Sequence, residues 1–158
     1  MSDQERGMTL LELLVALAIS ALLMTALAAA FNASVVSFTQ NHQIQQTVTR
    51  ARQALTRITT ELRTAAYVDP DQDPNLCSLE RPDGQGITFE YRAQQKALYL
   101  VTGQGNEYLL CDNIPSMAFL KTPTADGANC RLVTIAITVQ AGSSTQTFSA
   151  ATALRRNL

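Results

Sequence analysis

The sequence predicts an α+β protein: a long N-terminal helix with a membrane-spanning first half, packed on a C-terminal antiparallel β-sheet. Three observations lead to this prediction. Leu13–Phe31 is an uncharged apolar run, and no Pro or Gly occurs between Gly7 and Asp69. From Ile87 onward apolar residues alternate with polar ones, which is typical of half-buried strands. The chain has 158 residues, a length that favours one domain.

The apolar run is long enough for a helix to cross the hydrocarbon core of a bilayer, and Ser20 and Thr25 are its only polar residues. Glu12 lies at its start. An ionised carboxylate is unfavourable in lipid unless it is paired or hydrated. The sequence therefore predicts that Glu12 has a partner. The alternative is that its carboxylate reaches the lipid headgroups by itself.

The segment before the run, Met1–Gly7, fits an ordinary secretory signal peptide poorly. Such peptides begin with a basic region and have an apolar core of about 7 to 15 residues. Here Asp3 and Glu5 accompany Arg6, and the apolar core is longer. A plain membrane anchor remains the simple alternative.

The helix is predicted to run from Met8 to about Ala66 and to end before Asp69-Pro70, because proline disfavours helical geometry in the preceding residue. At 1.5 Å per residue it would be about 90 Å long. Its second half carries an apolar stripe at alternating spacings of four and three residues, which is typical of one buried helix face. The stripe consists of Ile44, Val48, Ala51, Leu55, Ile58, Leu62 and Ala65.

Charged residues of the second half lie off this stripe. They are Arg50, Arg52, Arg57, Glu61 and Arg63. Arg57 and Glu61 have the i, i+4 spacing of a helical ion pair. We interpret the arginines as a solvated face. The alternative is a DNA contact, in which Arg50 and Arg52 would form one patch with Arg155 and Arg156.

Asp69, Asp71, Asp73 and Glu80 resemble the spacing of a calcium-binding loop, with acidic residues at alternate positions and a final Glu. Pro74 stands where that template has the glycine of its sharp turn. The segment is therefore interpreted as an exposed, proline-rich turn, and no metal is expected. Calcium is the alternative.

The sheet is predicted from segments with a period of two, separated by turns, and one of its faces should take the apolar stripe of the helix. The predicted strands are Ile87–Tyr91, Leu98–Val101, Glu107–Cys111, Met117–Leu120, Val133–Val139 and Thr145–Leu154.

Three cysteines, Cys77, Cys111 and Cys130, all follow the apolar run. In an oxidising compartment two of them could form a disulfide, and the sequence does not choose the pair. A metal site is not favoured, since no C-x-x-C spacing occurs and the single histidine, His42, is distant in sequence.

Composition does not favour an enzyme or a nucleic-acid-binding protein. Twelve Lys and Arg face thirteen Asp and Glu, so no net positive field attracts nucleic acid. His42 has no acid within its own helical turn to orient it as a catalytic base. Gly84-Gln85-Gly86 and Gly103-Gln104-Gly105 lack the following Lys-Ser or Lys-Thr of phosphate loops and predict turns. No cofactor is expected.

The segment Gly7-Met8-Thr9-Leu10-Leu11-Glu12 resembles the processing site of type IV prepilins and type II secretion pseudopilins. The resemblance implies that a prepilin peptidase cuts between Gly7 and Met8 and methylates the new amine of Met8. It also implies that Glu12 acts in assembly and docking. Many family members have Phe at the position of Met8, and many major pilins have Pro at that of Ala29, which favours the minor class here.

The resemblance implies the pilin fold, with residues 1–7 as leader peptide and 8–31 as transmembrane and fibre-core helix. Residues 32–67 would continue the helix as an amphipathic segment, and 68–158 would form the periplasmic sheet part of the globular domain. The segments Arg50–Tyr67 and Leu154–Asn157 are similar to larger minor pilins and to the J-type minor pseudopilin.

The implied function is that of a minor pilin or pseudopilin subunit, assembled near the tip of a type IV pilus or a type II secretion pseudopilus. The implied partners are other pilins or pseudopilins, the prepilin peptidase and the inner-membrane assembly platform. The protein would be held in the bacterial inner membrane by one span, with its C-terminal domain in the periplasm, before entering the fibre. A DNA-uptake pilus subunit and an anchored periplasmic binding domain that never polymerises are the alternatives.

Overall fold

The structure, a computed structural model, describes residues 9–141 and 144–154. It contains one α-helix followed by eight β-strands, which confirms the predicted α+β class and has a pilin-like architecture. The elements are α1 (Leu10–Thr64), β1 (Tyr67–Val68), β2 (Leu76–Glu80), β3 (Gly86–Arg92), β4 (Ala97–Thr102), β5 (Glu107–Cys111), β6 (Ser116–Pro123), β7 (Cys130–Ala141) and β8 (Ser144–Ala153).

Helix α1 is continuous for 55 residues, as the absence of Pro and Gly predicted. Thr9 precedes it, and its carbonyl accepts a hydrogen bond from the Leu13 N–H at 3.1 Å. The helix ends at Thr64, and the Ala66 N–H already donates to the carbonyl of Glu80 in β2. The chain therefore enters a sheet before it reaches Pro70, and strand pairing follows directly on the helix end.

The chain divides into two structural units, of which the first ends at Asn41 and the second begins at His42. The described part of the first unit is the beginning of α1. It is the one helix within the described residues that is long and apolar enough to cross a membrane, and its apolar window has no buried residue.

The second unit contains two antiparallel sheets, not the single sheet that the sequence predicted. The first has the strand order β1-β2-β3-β4-β5, and the second has the order β6-β7-β8. The break lies between β5 and β6, at residues 112–115. The Tyr91 hydroxyl donates to the carbonyls of Ile114 and Pro115, at 2.9 and 3.0 Å, and holds this connection against β3.

One core joins the two sheets and the second half of the helix. The buried helix residues are Ala51, Ala54, Leu55, Ile58 and Leu62. They confirm most of the predicted stripe, while Ile44 and Val48 are only partly buried. The inner faces of the sheets complete the core with alternating residues, such as Ile87, Phe89 and Tyr91 from β3 and Val133, Ile135 and Ile137 from β7.

Two strands lie where the sequence predicted none. β1 has only two residues, and β2 begins at Leu76, inside the segment expected to be a proline-rich turn. In β2 the side chains of Cys77 and Leu79 are buried and the others are not, so a period of two is present over five residues. The Asp- and Pro-rich turn is confined to 69–75.

Candidate functional site

The candidate site begins at the first turn of α1, where Thr9 caps the helix. The Thr9 hydroxyl oxygen accepts a hydrogen bond from the Glu12 N–H at 3.2 Å, which satisfies one of the free N–H groups of the helix start. Thr9 and Glu12 thus have the spacing of a capping box, in which a carboxylate at the third helical position is favoured by the helix dipole. Gly7 and Met8, the predicted cleavage and methylation positions, lie outside the described residues.

The Glu12 carboxylate is exposed, and the structure gives it no ion pair within residues 9–141 and 144–154. The side chains around it are apolar: Leu10, Leu11 and Leu13 are 78%, 72% and 50% exposed. An unpaired carboxylate beside an apolar surface is costly once that surface is removed from water. The predicted need for a partner outside the chain is therefore consistent with this geometry.

The apolar run that follows Glu12 is exposed on every side of the helix. Large side chains such as Leu17, Leu22, Leu27 and Phe31 are 60–71% exposed. An exposed apolar surface of this extent indicates contact with lipid or with other helices. A single-pass membrane anchor, as in prepilins, fits this helix.

The polar side chains of the run are satisfied within the helix. The Ser20 hydroxyl donates to the carbonyl of Ala16, and the Thr25 hydroxyl donates to that of Leu22, both at 2.8 Å. In lipid each polar group must find its hydrogen bonds inside the protein. Ser20 and Thr25 meet this condition, which leaves the Glu12 carboxylate as the polar group in this part of the helix that requires a neighbour.

Glu61 pairs with Arg81, and the predicted pair with Arg57 was wrong. The Arg81 guanidinium donates to both carboxylate oxygens of Glu61, with Nε to Oε2 at 2.9 Å. The hydrogen bond to Glu61 raises the pKa of Arg81. These two parallel hydrogen bonds connect the helix to the turn that follows β2. A pair with Arg57 would have joined two residues of the same helix.

The arginines proposed as a DNA patch have local contacts in the described residues. Arg50 lies 3.4 Å from the Asp112 carboxylate, and Arg52 lies over the ring of Phe148 at 5.4 Å from its centroid. Arg155 and Arg156 lie outside the described residues. Asp112 offsets the charge of Arg50, so this surface is less basic than the sequence alone suggests.

The structure does not bring the calcium candidate Asp69, Asp71, Asp73 and Glu80 together as a group of metal ligands. No group of His, Cys, Asp or Glu that could hold a metal ion occurs within the described residues. Each of the three aspartates accepts a hydrogen bond from the backbone N–H two residues later, at 2.8–3.3 Å. The carboxylates therefore stabilise the turn, which is the usual role of Asp in such segments.

All three cysteines are buried, and they lie in two different surroundings. Cys77 in β2 and Cys130 at the start of β7 share Lys121 and Asp69 as charged neighbours, and burial raises the pKa of both thiols, that of Cys77 to about 12. The Cys130 sulfur also lies 3.5 Å from the carbonyl oxygen of Asp69. Cys111 has Asp112 next to it, and burial raises its pKa to about 11.

Two buried polar side chains were not identified as notable from the sequence. Lys121 is only 7% exposed although it is charged, and Thr152 is buried with its hydroxyl oxygen unpartnered in the described part of the chain. Strand alternation predicted one face for Thr152 with Phe148 and Leu154, and the same alternation, continued past Leu120, would have placed Lys121 with Met117 and Phe119. The partner of Glu61 could not have been found in this way, because Arg81 is not on the helix.

The comparison with protein families supports the interpretation of the N-terminal segment. Residues 3–28 match the family model described as the prokaryotic N-terminal methylation motif. A search of curated proteins found no significant match. The match covers the capped first turn, Glu12 and most of the apolar run, and it supports a type IV prepilin-like protein.

Proposed function

We propose that this chain is a minor pilin or minor pseudopilin, a structural subunit without enzymatic activity. A prepilin peptidase cleaves it between Gly7 and Met8 and methylates the amine of Met8. It is stored in the inner membrane by one span, with residues 68–158 in the periplasm, and then enters a type IV pilus or a type II secretion pseudopilus near the tip. The observation that supports this proposal is the Glu12 carboxylate, which has no ion pair within residues 9–141 and 144–154 and lies at the capped start of an exposed apolar helix.

Glu12 is the docking group in this proposal. In a fibre of such helices, its carboxylate meets the positive amine of Met8 of a neighbouring subunit, and the two charges neutralise each other in an apolar surrounding. Two unit charges 4 Å apart attract by about 4 kcal/mol at an effective dielectric constant of about 20. That energy favours one axial register over others, because every other register leaves both charges unpaired.

The uninterrupted helix supports the minor class. α1 passes through Ala29 without a break, whereas many major pilins of the resembled family have Pro there. The J-type subtype is part of the proposal and rests on the resemblance of the segments Arg50–Tyr67 and Leu154–Asn157.

A substitution at Glu12 tests the fibre role against a plain anchor. In the native bacterium, full-length Glu12→Ala should be found in membranes at normal level but should fall at least about tenfold in sheared fibres, since a loss of 1.4 kcal/mol is already tenfold. Ser20→Ala is the matched control, because the Ser20 hydroxyl donates to a carbonyl of its own helix, and it should leave incorporation unchanged.

If Glu12→Ala enters fibres as well as the unchanged chain, the docking role is refuted. The alternative, an anchored periplasmic binding domain that does not polymerise, would then be favoured. A DNA-uptake role would require salt-dependent DNA binding that weakens in Arg52→Ala.

A further inference from the structure

Strand β8 ends the three-stranded sheet and leaves a long backbone edge without a partner in the described residues. It has ten residues, Ser144–Ala153, none of which is charged or Pro. Natural proteins usually protect such edges with a charge, a Pro or a covering segment, because an open edge pairs with other strands.

The register shows which backbone groups point outward. The Leu154 N–H donates to the carbonyl of Arg131 at 3.1 Å, and the antiparallel pairing continues from Leu132 with Ala153. Hydrogen-bonded and non-bonded pairs alternate along such a ladder. The residues whose N–H and C=O groups face away from β7 are therefore Thr145, Thr147, Ser149, Ala151 and Ala153.

The other sheet edges have protection that β8 lacks. At β1 the Val68 N–H donates to the side-chain oxygen of Asn129 at 2.9 Å, and at β6 the Phe119 N–H donates to the carbonyl of Pro74 at 2.8 Å. At β5 the edge strand carries the charged side chain of Glu107, whose carboxylate is ion-paired with Arg92 of β3. Within residues 9–141 and 144–154, none of the outward N–H groups of β8 takes part in a backbone hydrogen bond.

We propose that the outer edge of β8 pairs with a β-strand of a neighbouring, different subunit of the fibre. This inference rests on the proposed function, since it requires neighbours of the same structural class. The five outward N–H groups and five outward C=O groups of β8 form hydrogen bonds with the backbone of the partner strand. Because the edge of β8 is uncharged, it favours a partner strand without charged residues in the paired segment.

The outer edge of β8 is too small to bind a free partner by itself. The partner strand must therefore belong to a subunit that other contacts already hold beside this one. Ten residues extend about 34 Å, and one strand spacing is about 4.8 Å, so the contact is small. A stable interface between free proteins buries about 1,200 Å² or more. Neighbours concentrated by their helices in a membrane or fibre need much less.

The symmetry of the assembly excludes a second copy of β8 as the partner. Pairing of β8 with itself needs a two-fold axis, whereas subunits of a helical fibre meet through unlike surfaces. The occupant is therefore a strand other than β8 and, because the other sheet edges of a second copy are protected as described above, it comes from a different subunit.

A groove beside the same strand adds a second point of recognition. It has a volume of about 650 Å³ and is lined by Thr60, Arg63, Thr64 and Ala151–Ala153. Thr152 is 2% exposed, and its hydroxyl oxygen is the buried side-chain polar atom that lacks a hydrogen-bond partner in the described chain. A partner strand paired with β8 would bring a short, uncharged polar side chain to this groove.

The test uses site-specific photo-crosslinking of the full-length chain in the native bacterium, with benzoyl-phenylalanine replacing Thr147. Processing at Gly7 and incorporation into sheared fibres are measured first. The expected adduct joins Thr147 to a predicted strand of another subunit that has its own N-terminal methylation motif. The same probe at Gln94, in an exposed turn of the other sheet, should not give this adduct.

A second substitution tests pairing through the backbone. Ser149→Pro removes one outward N–H and should reduce the Thr147 adduct about tenfold, whereas Ser149→Ala keeps the N–H and should leave it unchanged. Ala151→Lys retains every N–H, places a charge on the edge, and should give the same loss at unchanged protein level.

The outcomes separate this inference from the proposed function. A chain that is neither cleaved nor incorporated overturns both. A chain that is incorporated but gives no strand adduct, or an adduct between two β8 strands, overturns the edge pairing alone. Retention of the adduct in both Ser149→Pro and Ala151→Lys also overturns it.

Discussion

The packing of α1 on the two sheets can be tested at Ile58, which is fully buried in the middle of the helix stripe. Ile58→Ala removes three carbon groups, and each buried carbon contributes about 0.8 kcal/mol. The cavity left behind adds to this, so the free energy of unfolding should fall by about 3–4 kcal/mol. Arg57→Ala, one residue earlier on the exposed face, should change it by less than about 0.5 kcal/mol.

Urea titration of the full-length protein in detergent measures both variants. The chain has no Trp, and its four Tyr, which are Tyr67, Tyr91, Tyr99 and Tyr108, all follow the helix, so tyrosine fluorescence reports on the sheet region. With a slope of about 2 kcal/mol per molar urea, Ile58→Ala should lower the midpoint by about 1.5–2 M. A shift below about 0.5 M for Ile58→Ala, or an equal shift for Arg57→Ala, would refute the assigned helix face.

Three further predictions concern contacts in the second unit. Thr152→Val should raise the free energy of unfolding by about 1 kcal/mol, because a buried hydroxyl without a partner is replaced by a methyl of similar shape; a lower urea midpoint would contradict this. Arg81→Ala should lower the free energy of unfolding by about 1 kcal/mol, because the substitution leaves the half-buried Glu61 carboxylate unpaired. Glu61→Gln, measured in the same way, should lower the free energy of unfolding by no more than Arg81→Ala does. In reductant, the free energy of unfolding should fall as pH rises from about 9 towards 12, because the thiol of Cys77 ionises in the unfolded chain and stays protonated in the folded one. Cys77→Ala should reduce this dependence of stability on pH. An equal pH dependence in Cys111→Ala and Cys77→Ala would contradict the larger pKa shift at Cys77.

The helix could be predicted because its signals are local. The absence of Pro and Gly, the charge-free run and the stripe from Ala51 to Leu62 are all read within a few turns. The resemblance of Gly7–Glu12 to a prepilin processing site rests on a short motif for the same reason, and the match at residues 3–28 supports a prepilin-like protein. Strands β3 and β7 also had clear alternation of apolar and polar residues.

What could not be predicted depends on contacts distant in sequence. β1 is too short to give a pattern, and β2 follows an Asp- and Pro-rich turn that concealed it. The division into two sheets occurs at the connection after β5, which Tyr91 contacts from β3, and no local pattern marks it. The pairing of Glu61 with Arg81 joins residues twenty positions apart, so helical spacing gave the wrong partner.

The central claim is that the chain is a processed fibre subunit, and the intact mass of the full-length protein from cells with and without a prepilin peptidase tests it most directly. With the peptidase, the account predicts a chain that begins at Met8 and has one added methyl group. Without the peptidase, it predicts the chain that retains Met1–Gly7. A chain that retains Met1–Gly7 in both strains would contradict the account and favour the anchored domain.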